Sequence, residues 1–174
     1  MKMKKNVWAL QKGLVGAVLI GLCVLISAGT VSAGEFRASG GEFSINLPNG
    51  WELKPQMAPT VFVFQGKGVE NIIVEYFADE KDVNTLLEKG LTTAKAGGIG
   101  SIRVEDMLSE TTVNGRPGAW GYYTGVFTQN NALLNIALGA VALPKGGIYF
   151  VSILNDSSKK AMGPAIEKAF WTIR

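Results

Sequence analysis

Leu133-Leu134-Asn135-Ile136-Ala137-Leu138-Gly139-Ala140-Val141-Ala142-Leu143 and, after Pro144-Lys145-Gly146-Gly147, Ile148-Tyr149-Phe150-Val151-Ser152-Ile153-Leu154 are the stretch that decides the fold. A strand sends successive side chains to opposite faces, so a segment apolar at odd and even positions alike makes both faces of its sheet apolar. Both faces must then be covered. The small residues Ala137, Gly139, Ala140 and Ala142 leave room for a helix to lie close.

Two segments have the period to supply such covers. Toward the C-terminus, Met162, Ala165, Ile166, Ala169, Phe170 and Ile173 repeat at helical spacing. Ser157 or Gly163 could cap this helix, and Pro164, tolerated in a first turn but not mid-helix, places its regular start near itself. Toward the N-terminus, Val83, Leu86, Leu87, Gly90, Leu91 and Ala94 form one stripe. Asp82 caps that helix, Asp79 and Glu80 suit its positive end, and Gly97-Gly98 stops it.

The remaining apolar runs read as strands: Glu42 to Leu47, Thr60 to Gln65, Asn71 to Phe77, Ile102 to Val113 and Ala119 to Thr128. Turn residues separate them at Pro48-Asn49-Gly50, Gly66-Lys67-Gly68, Asn114-Gly115 and Asn130-Asn131. Short turns imply antiparallel pairing. The expected class is α+β, an antiparallel sheet of about six to seven strands sandwiched by helices. No internal repeat or second domain is visible, so residues 42–174 read as one domain behind a short polar lead at 34–41.

Residues 1–33 read as a secretory signal peptide. Lys2, Lys4, Lys5 and Lys12 form a basic start, Leu14 to Ile26 is an uncharged run of about 13 residues, and Val31-Ser32-Ala33 resembles a cleavage site. Cleavage is placed between Ala33 and Gly34, giving a periplasmic or extracellular protein. The alternative is a retained membrane anchor, for which the run falls short of the usual ~20 apolar residues. Cys23 follows Leu22 and sits inside the apolar run, which argues against lipidation.

The leader carries four of the 17 basic residues and none of the 14 acidic ones, so the remaining 141 residues hold 13 basic against 14 acidic groups, net −1. Nucleic acid and acidic membrane surfaces lose their electrostatic basis as partners. The chain has no His, and its one Cys is in the leader. Zinc, copper and haem sites built on those residues, Ser-His-Asp triads and Cys nucleophiles are thereby excluded from the exported domain. No cofactor is expected.

Glu42-Phe43-Ser44-Ile45-Asn46-Leu47-Pro48-Asn49-Gly50-Trp51 resembles the opening strand and turn of the PsbP-like family, whose fold is shared with the Ran-binding Mog proteins. Asn114-Gly115-Arg116-Pro117-Gly118-Ala119-Trp120 and the closing Phe170-Trp171-Thr172-Ile173 fit the same plan. The resemblance covers roughly Glu42 to Arg174. It implies a non-enzymatic accessory or binding domain, since the best-known members are extrinsic subunits supporting the oxygen-evolving centre of photosystem II. Family metal sites that use His have no counterpart here, and nothing in the sequence points to photosynthesis.

Among candidate sites, Asp79-Glu80-Lys81-Asp82 fits helix capping better than a calcium loop, because the register of further ligands breaks after Asn84. Glu105 and Asp106 are adjacent on a strand, hence on opposite faces, and read as surface charges. Ala96 to Ser101 is glycine-rich but follows a helix, so it reads as a helix stop and flexible loop. Asn155-Asp156-Ser157 matches a glycosylation sequon, a short pattern that recurs by chance.

Trp51, Trp120, Tyr122 and Tyr123 are either core or an aromatic binding surface, with core packing the first reading. Arg116, on the Asn114 to Ala119 turn, marks an interaction edge. The functional expectation is an exported accessory or protein-binding module whose partner is another exported or membrane protein. One alternative is a binder of a small apolar or amphipathic ligand between sheet and helix. An enzyme using carboxylates or Tyr is the third reading, and it requires two carboxylates converging in a pocket.

Overall fold

Alternating and doubly apolar segments pair into strands in the order β1 (Glu35–Arg37), β2 (Ser44–Asn46), β3 (Glu52–Leu53), β4 (Val61–Gln65) and β5 (Asn71–Phe77). Helix α1 (Val83–Ala96) follows, then β6 (Ile99–Val113), β7 (Arg116–Phe127), β8 (Ala132–Ala142), β9 (Gly147–Leu154) and helix α2 (Asp156–Trp171). The computed structural model describes residues 34–56, 58–66 and 70–174. The signal peptide read over residues 1–33, and Lys67-Gly68 of one turn, lie outside the described residues.

Strands β3 to β9 form a seven-stranded sheet in the order β3-β4-β5-β9-β8-β7-β6, antiparallel at every pairing. It consists of two meanders, with α1 crossing from β5 in the first to β6 at the far edge of the second. Asn114 and Gly115 both take positive φ, 50° and 76°, the backbone that a two-residue hairpin between twisted strands requires. The α+β sandwich expected from the doubly apolar strands is the fold observed.

Helix α1 matches its sequence reading. Asp82 Oδ1 accepts from the Thr85 backbone N–H at 2.7 Å, and Gly97 ends the helix. Leu86, Leu87, Gly90 and Ala94 are its buried stripe, packed over Ala119, Tyr123, Ile136, Leu138, Ala140, Tyr149 and Val151. Gly90 permits the close approach: a Cβ there would stand 2.5 Å from Leu138 Cδ1. The glycine-rich segment after α1 is a shorter connection than the flexible loop expected, because β6 already begins at Ile99.

The C-terminal helix departs from expectation. It starts at Asp156, with Asn155 as its cap accepting from the Ser158 N–H at 2.8 Å, and runs through Pro164. Proline forfeits one backbone hydrogen bond and crowds the carbonyl of Lys160. Pro164 and Lys160 are both exposed, so water can solvate that carbonyl, while Ile166, Ala169 and Phe170 hold the helix to the sheet. Phe170 fills the space over Gly139, where a Cβ would meet its ring at 2.2 Å.

Residues 34–41, read as a polar lead, are part of the packed structure. Strands β1 and β2 make a separate hairpin, and Phe36 packs edge-on against Phe62 and Phe64 at 5.3 and 5.0 Å between ring centroids. The segment is too short to show a period. Ser44 and Arg174 exchange backbone hydrogen bonds of 2.8 and 3.2 Å, so the hairpin and the end of α2 cover one face of the sheet together. Among the described residues no helix is long and apolar enough to cross a membrane.

Candidate functional site: an arginine-lined cavity

Three of the five residues singled out from sequence are core. Trp51 and Trp120 are 1% exposed and Tyr123 is 3% exposed, so these three follow the core reading, and the alternative of an interaction surface is corrected for them. The reason is the double cover of the sheet. Trp120 lies under α2 with its ring 4.6 Å from Phe170 and 5.8 Å from Phe150, whereas Tyr123 points to the other face and sends its hydroxyl to Met107 Sδ at 3.7 Å. Tyr122, on the Trp120 face, is half-buried and donates to Glu167 Oε2 at 2.6 Å. Burial first, and that hydrogen bond second, push its hydroxyl pKa up to about 12.

Arg116 is the named residue that reaches a cavity. It is the first residue of β7, directly after the Asn114-Gly115 turn, and Asn114 Nδ2 donates to the Ile173 and Trp171 carbonyls at 2.7 and 3.2 Å. That latch fixes the turn against the end of α2. Arg116 then lines a hollow of about 270 Å3 together with Arg37, Gly41, Phe43, Ser44 and Arg174. A second hollow of about 270 Å3 shares Gly41, Arg116 and Arg174 and adds Glu42, Tyr76 and Lys145. The two meet where the β1–β2 hairpin, the β6–β7 turn, the β8–β9 turn and Arg174, beyond the end of α2, come together.

The electrostatics there are lopsided. Glu35 accepts from Arg37 Nη2 at 2.9 Å and from Arg174 Nη2 at 2.6 Å. The Arg174 hydrogen bonds foremost, then the one from Arg37, hold its carboxyl down to about 2. Arg116 has no such partner: Nη1 is buried and makes no hydrogen bond. The chain contains four arginines, and Arg37, Arg116 and Arg174 are three of them. Sequence reasoning marked Arg116 and missed the other two, because positions 37, 116 and 174 become neighbours only through the sheet and its cover.

Other candidates resolve as structural. Asp82 is the α1 cap, its carboxyl lowered by the Thr85 backbone hydrogen bond, and Glu80 accepts from the Asp82 N–H at 2.9 Å. No group of three or more metal-ligating residue types clusters among the described residues. Glu105 and Asp106 are both exposed at an irregularity of β6, and Glu105 pairs with Lys159 at 3.1 Å. Lys159 in turn donates to buried Asn135, which donates to Asp156 at 2.7 Å, so this polar seam ties α2 to β8. Asn155, the sequon residue, is occupied as the α2 cap.

Between sheet and α1, Tyr149 donates to Glu75 Oε2 at 2.5 Å and lies 2.7 Å from Thr93 Oγ1. Burial raises the Tyr149 hydroxyl well above the usual phenol range. An apolar groove of about 480 Å3 opens beyond the end of α1, lined among others by Ile99, Phe127, Leu134, Ile153 and Leu154. Over the small-residue sheet face, the space at Gly139 is filled by Phe170, and Gly90 of α1 packs against Leu138.

A sheet of two antiparallel meanders, crossed by one helix and closed on its other face by a second, is the α+β fold of PsbP-like structures. Cyanobacterial PsbP (CyanoP) from Synechocystis superposes with a TM-score of 0.61 at 14% identity, over 86% of this chain and 98% of its own. LpqN of Mycobacterium tuberculosis, a protein involved in cell envelope biogenesis, gives 0.50 at 15% identity over 75% and 81%. A Bacteroides thetaiotaomicron protein gives 0.52 at 15% identity over 82% of this chain, which spans only 48% of that protein's length. At these identities the likeness is one of fold. No protein-family model and no curated protein matches the sequence.

Proposed function

We propose that this chain is an exported accessory module that works by binding another exported or membrane protein and performs no chemistry of its own. The observation that carries the reading is the Asn114 to Ala119 hairpin with Arg116, latched to α2 and facing the two hollows. A recognition loop held on a rigid sheet is a common way for a small domain to bind a partner. The fold shared with CyanoP and LpqN is consistent with an accessory role.

The test is site-specific photocrosslinking at residue 115 in the host, followed by pull-down from the exported compartment. A defined partner captured from residue 115 but not from a crosslinker at exposed residue 95 on α1 supports the reading. Capture of nothing, or of the same proteins from both sites, overturns it. The recovered mass decides release: a chain starting at Gly34 supports cleavage, and an intact N-terminus makes this a tethered domain.

The apolar groove favours a second reading, a small apolar or amphipathic ligand bound beside the end of α1. Native mass spectrometry of the protein from its host would detect such a ligand as a discrete added mass. Substituting Leu134 by Lys would then abolish it.

A further inference from the structure

We infer that the arginine-lined hollow binds carboxylates of an acidic segment presented by the partner protein, with Arg116 as the residue that takes the incoming group; this rests on the binding-module reading above. The cluster already shows how it handles a carboxylate. Glu35 sits between Arg37 and Arg174, one oxygen on each, at 2.9 and 2.6 Å. The same guanidinium chemistry is repeated in Arg116 without the acid.

A buried guanidinium nitrogen with no acceptor is unfavourable, because it has left water and gained nothing in exchange. Among the described residues, no carboxylate lies within ion-pair distance of Arg116. The side chain lines both hollows, so an oxyanion entering either one meets a guanidinium whose Nη1 has no acceptor. Arginine rather than lysine is the residue suited to this task, since its planar fork matches two carboxylate oxygens at once.

The surroundings set the size and sign of the ligand. The first hollow has three arginines and no acid in its lining, while the second adds Lys145 and one acid, Glu42. Each is about 270 Å3, room for a side chain rather than a large cofactor. Gly41, at φ 72°, lines both hollows and has open space where a side chain would stand. Two adjoining hollows sharing one arginine fit two acidic side chains of one extended peptide. The net charge of −1 on the exported part makes this positive spot local, so it selects an acidic segment without drawing in polyanions generally.

The test uses the 15N-labelled protein purified after export, titrated with hexaglutamate, hexaglutamine and inorganic phosphate. The four arginine Nε–H signals are read by NMR. Hexaglutamate is expected to shift the signals of Arg37, Arg116 and Arg174 and leave Arg103 unmoved, and hexaglutamine to shift none. Arg116→Gln is expected to weaken hexaglutamate binding by about fivefold or more, and Lys95→Gln to leave it unchanged. Arg116→Lys keeps the charge and loses the fork, so it is expected to fall between, and it serves if Arg116→Gln fails to fold. Binding equal in wild type and both Arg116 variants would overturn the inference as diffuse electrostatics, and tighter binding of phosphate at the same signals would overturn it in favour of a phosphoryl ligand. No binding of hexaglutamate overturns it too, while a partner captured from residue 115 would leave the binding-module reading standing.

Discussion

The two faces of the sheet are closed in different ways. Over one face lies a single element, α1, whose Gly90 lets the helix settle against Leu138 and Val151. Over the other lie two pieces from opposite ends of the domain, the β1–β2 hairpin and α2, joined by the paired backbone hydrogen bonds of Ser44 and Arg174. Among the described residues, hollows on the one-piece side lie at the end of α1 and beside it, against Glu75, Phe77 and Tyr149. A two-piece cover has a seam, and the arginine-lined hollows open along it. The seam face is also the aromatic one, with Trp120, Phe150 and Phe170 on the helix side and Phe36, Phe43 and Phe62 on the hairpin side.

The largest effect should come from the seam face. Trp120→Ala removes a side chain that touches Phe150, Phe170 and Trp171 and should cost about 3–5 kcal/mol in urea unfolding. A loss under about 1 kcal/mol would mean that this face collapses easily around the gap. Next in size is a matched pair of glycine substitutions. Gly139→Ala drives a methyl into the Phe170 ring, held on three sides by packing, and should cost about 1–3 kcal/mol. Gly90→Ala meets the movable end of Leu138 and gains helix propensity of about 1 kcal/mol, so its net effect should be near zero. Equal losses at the two glycines would erase the contrast between a rigid and a forgiving face.

On the α1 side, Tyr149→Phe removes the hydroxyl that joins Glu75 and Thr93 and should lower stability by about 1–2 kcal/mol, measured by the same denaturation. The smallest effects are in the pH profile, and both belong to the seam face. Glu35 has its pKa lowered from 4.5 to about 2, so its contribution is full above pH 4.5 and is lost as pH falls toward 2. Glu35→Gln should flatten the denaturation midpoint over that window. Tyr122 is raised from 10.0 to about 12, so stability present below pH 10 falls as pH rises toward 12, and Tyr122→Phe should reduce that slope.

Periodic segments were legible because their signal is local. The α1 stripe with its Asp82 cap, the long strands and the Asn114-Gly115 turn all appear in the structure close to where spacing and turn chemistry place them. The misses share a cause. β1 and β3 are three and two residues long, too short for any period, and Pro164 is a local veto on a helix that tertiary packing overrides. Trp51, Trp120 and Tyr123 are no miss, since core was their first reading, but the surface alternative stayed open because alternation shows which residues share a face and not what covers it.

The sequence by itself determined that both sheet faces would be apolar and covered, that two helices were available to cover them, and that neither imidazole nor thiol would be present in residues 34–174. Those properties follow from residue type and near-neighbour spacing. Only the tertiary structure decided that one cover would be assembled from two pieces, and that Arg37, Arg116 and Arg174 would meet at its seam. Such a meeting depends on strand order, on the register of β6 with β7, and on where α2 ends against β2. Contacts between residues so far apart in the chain leave no periodic trace in it.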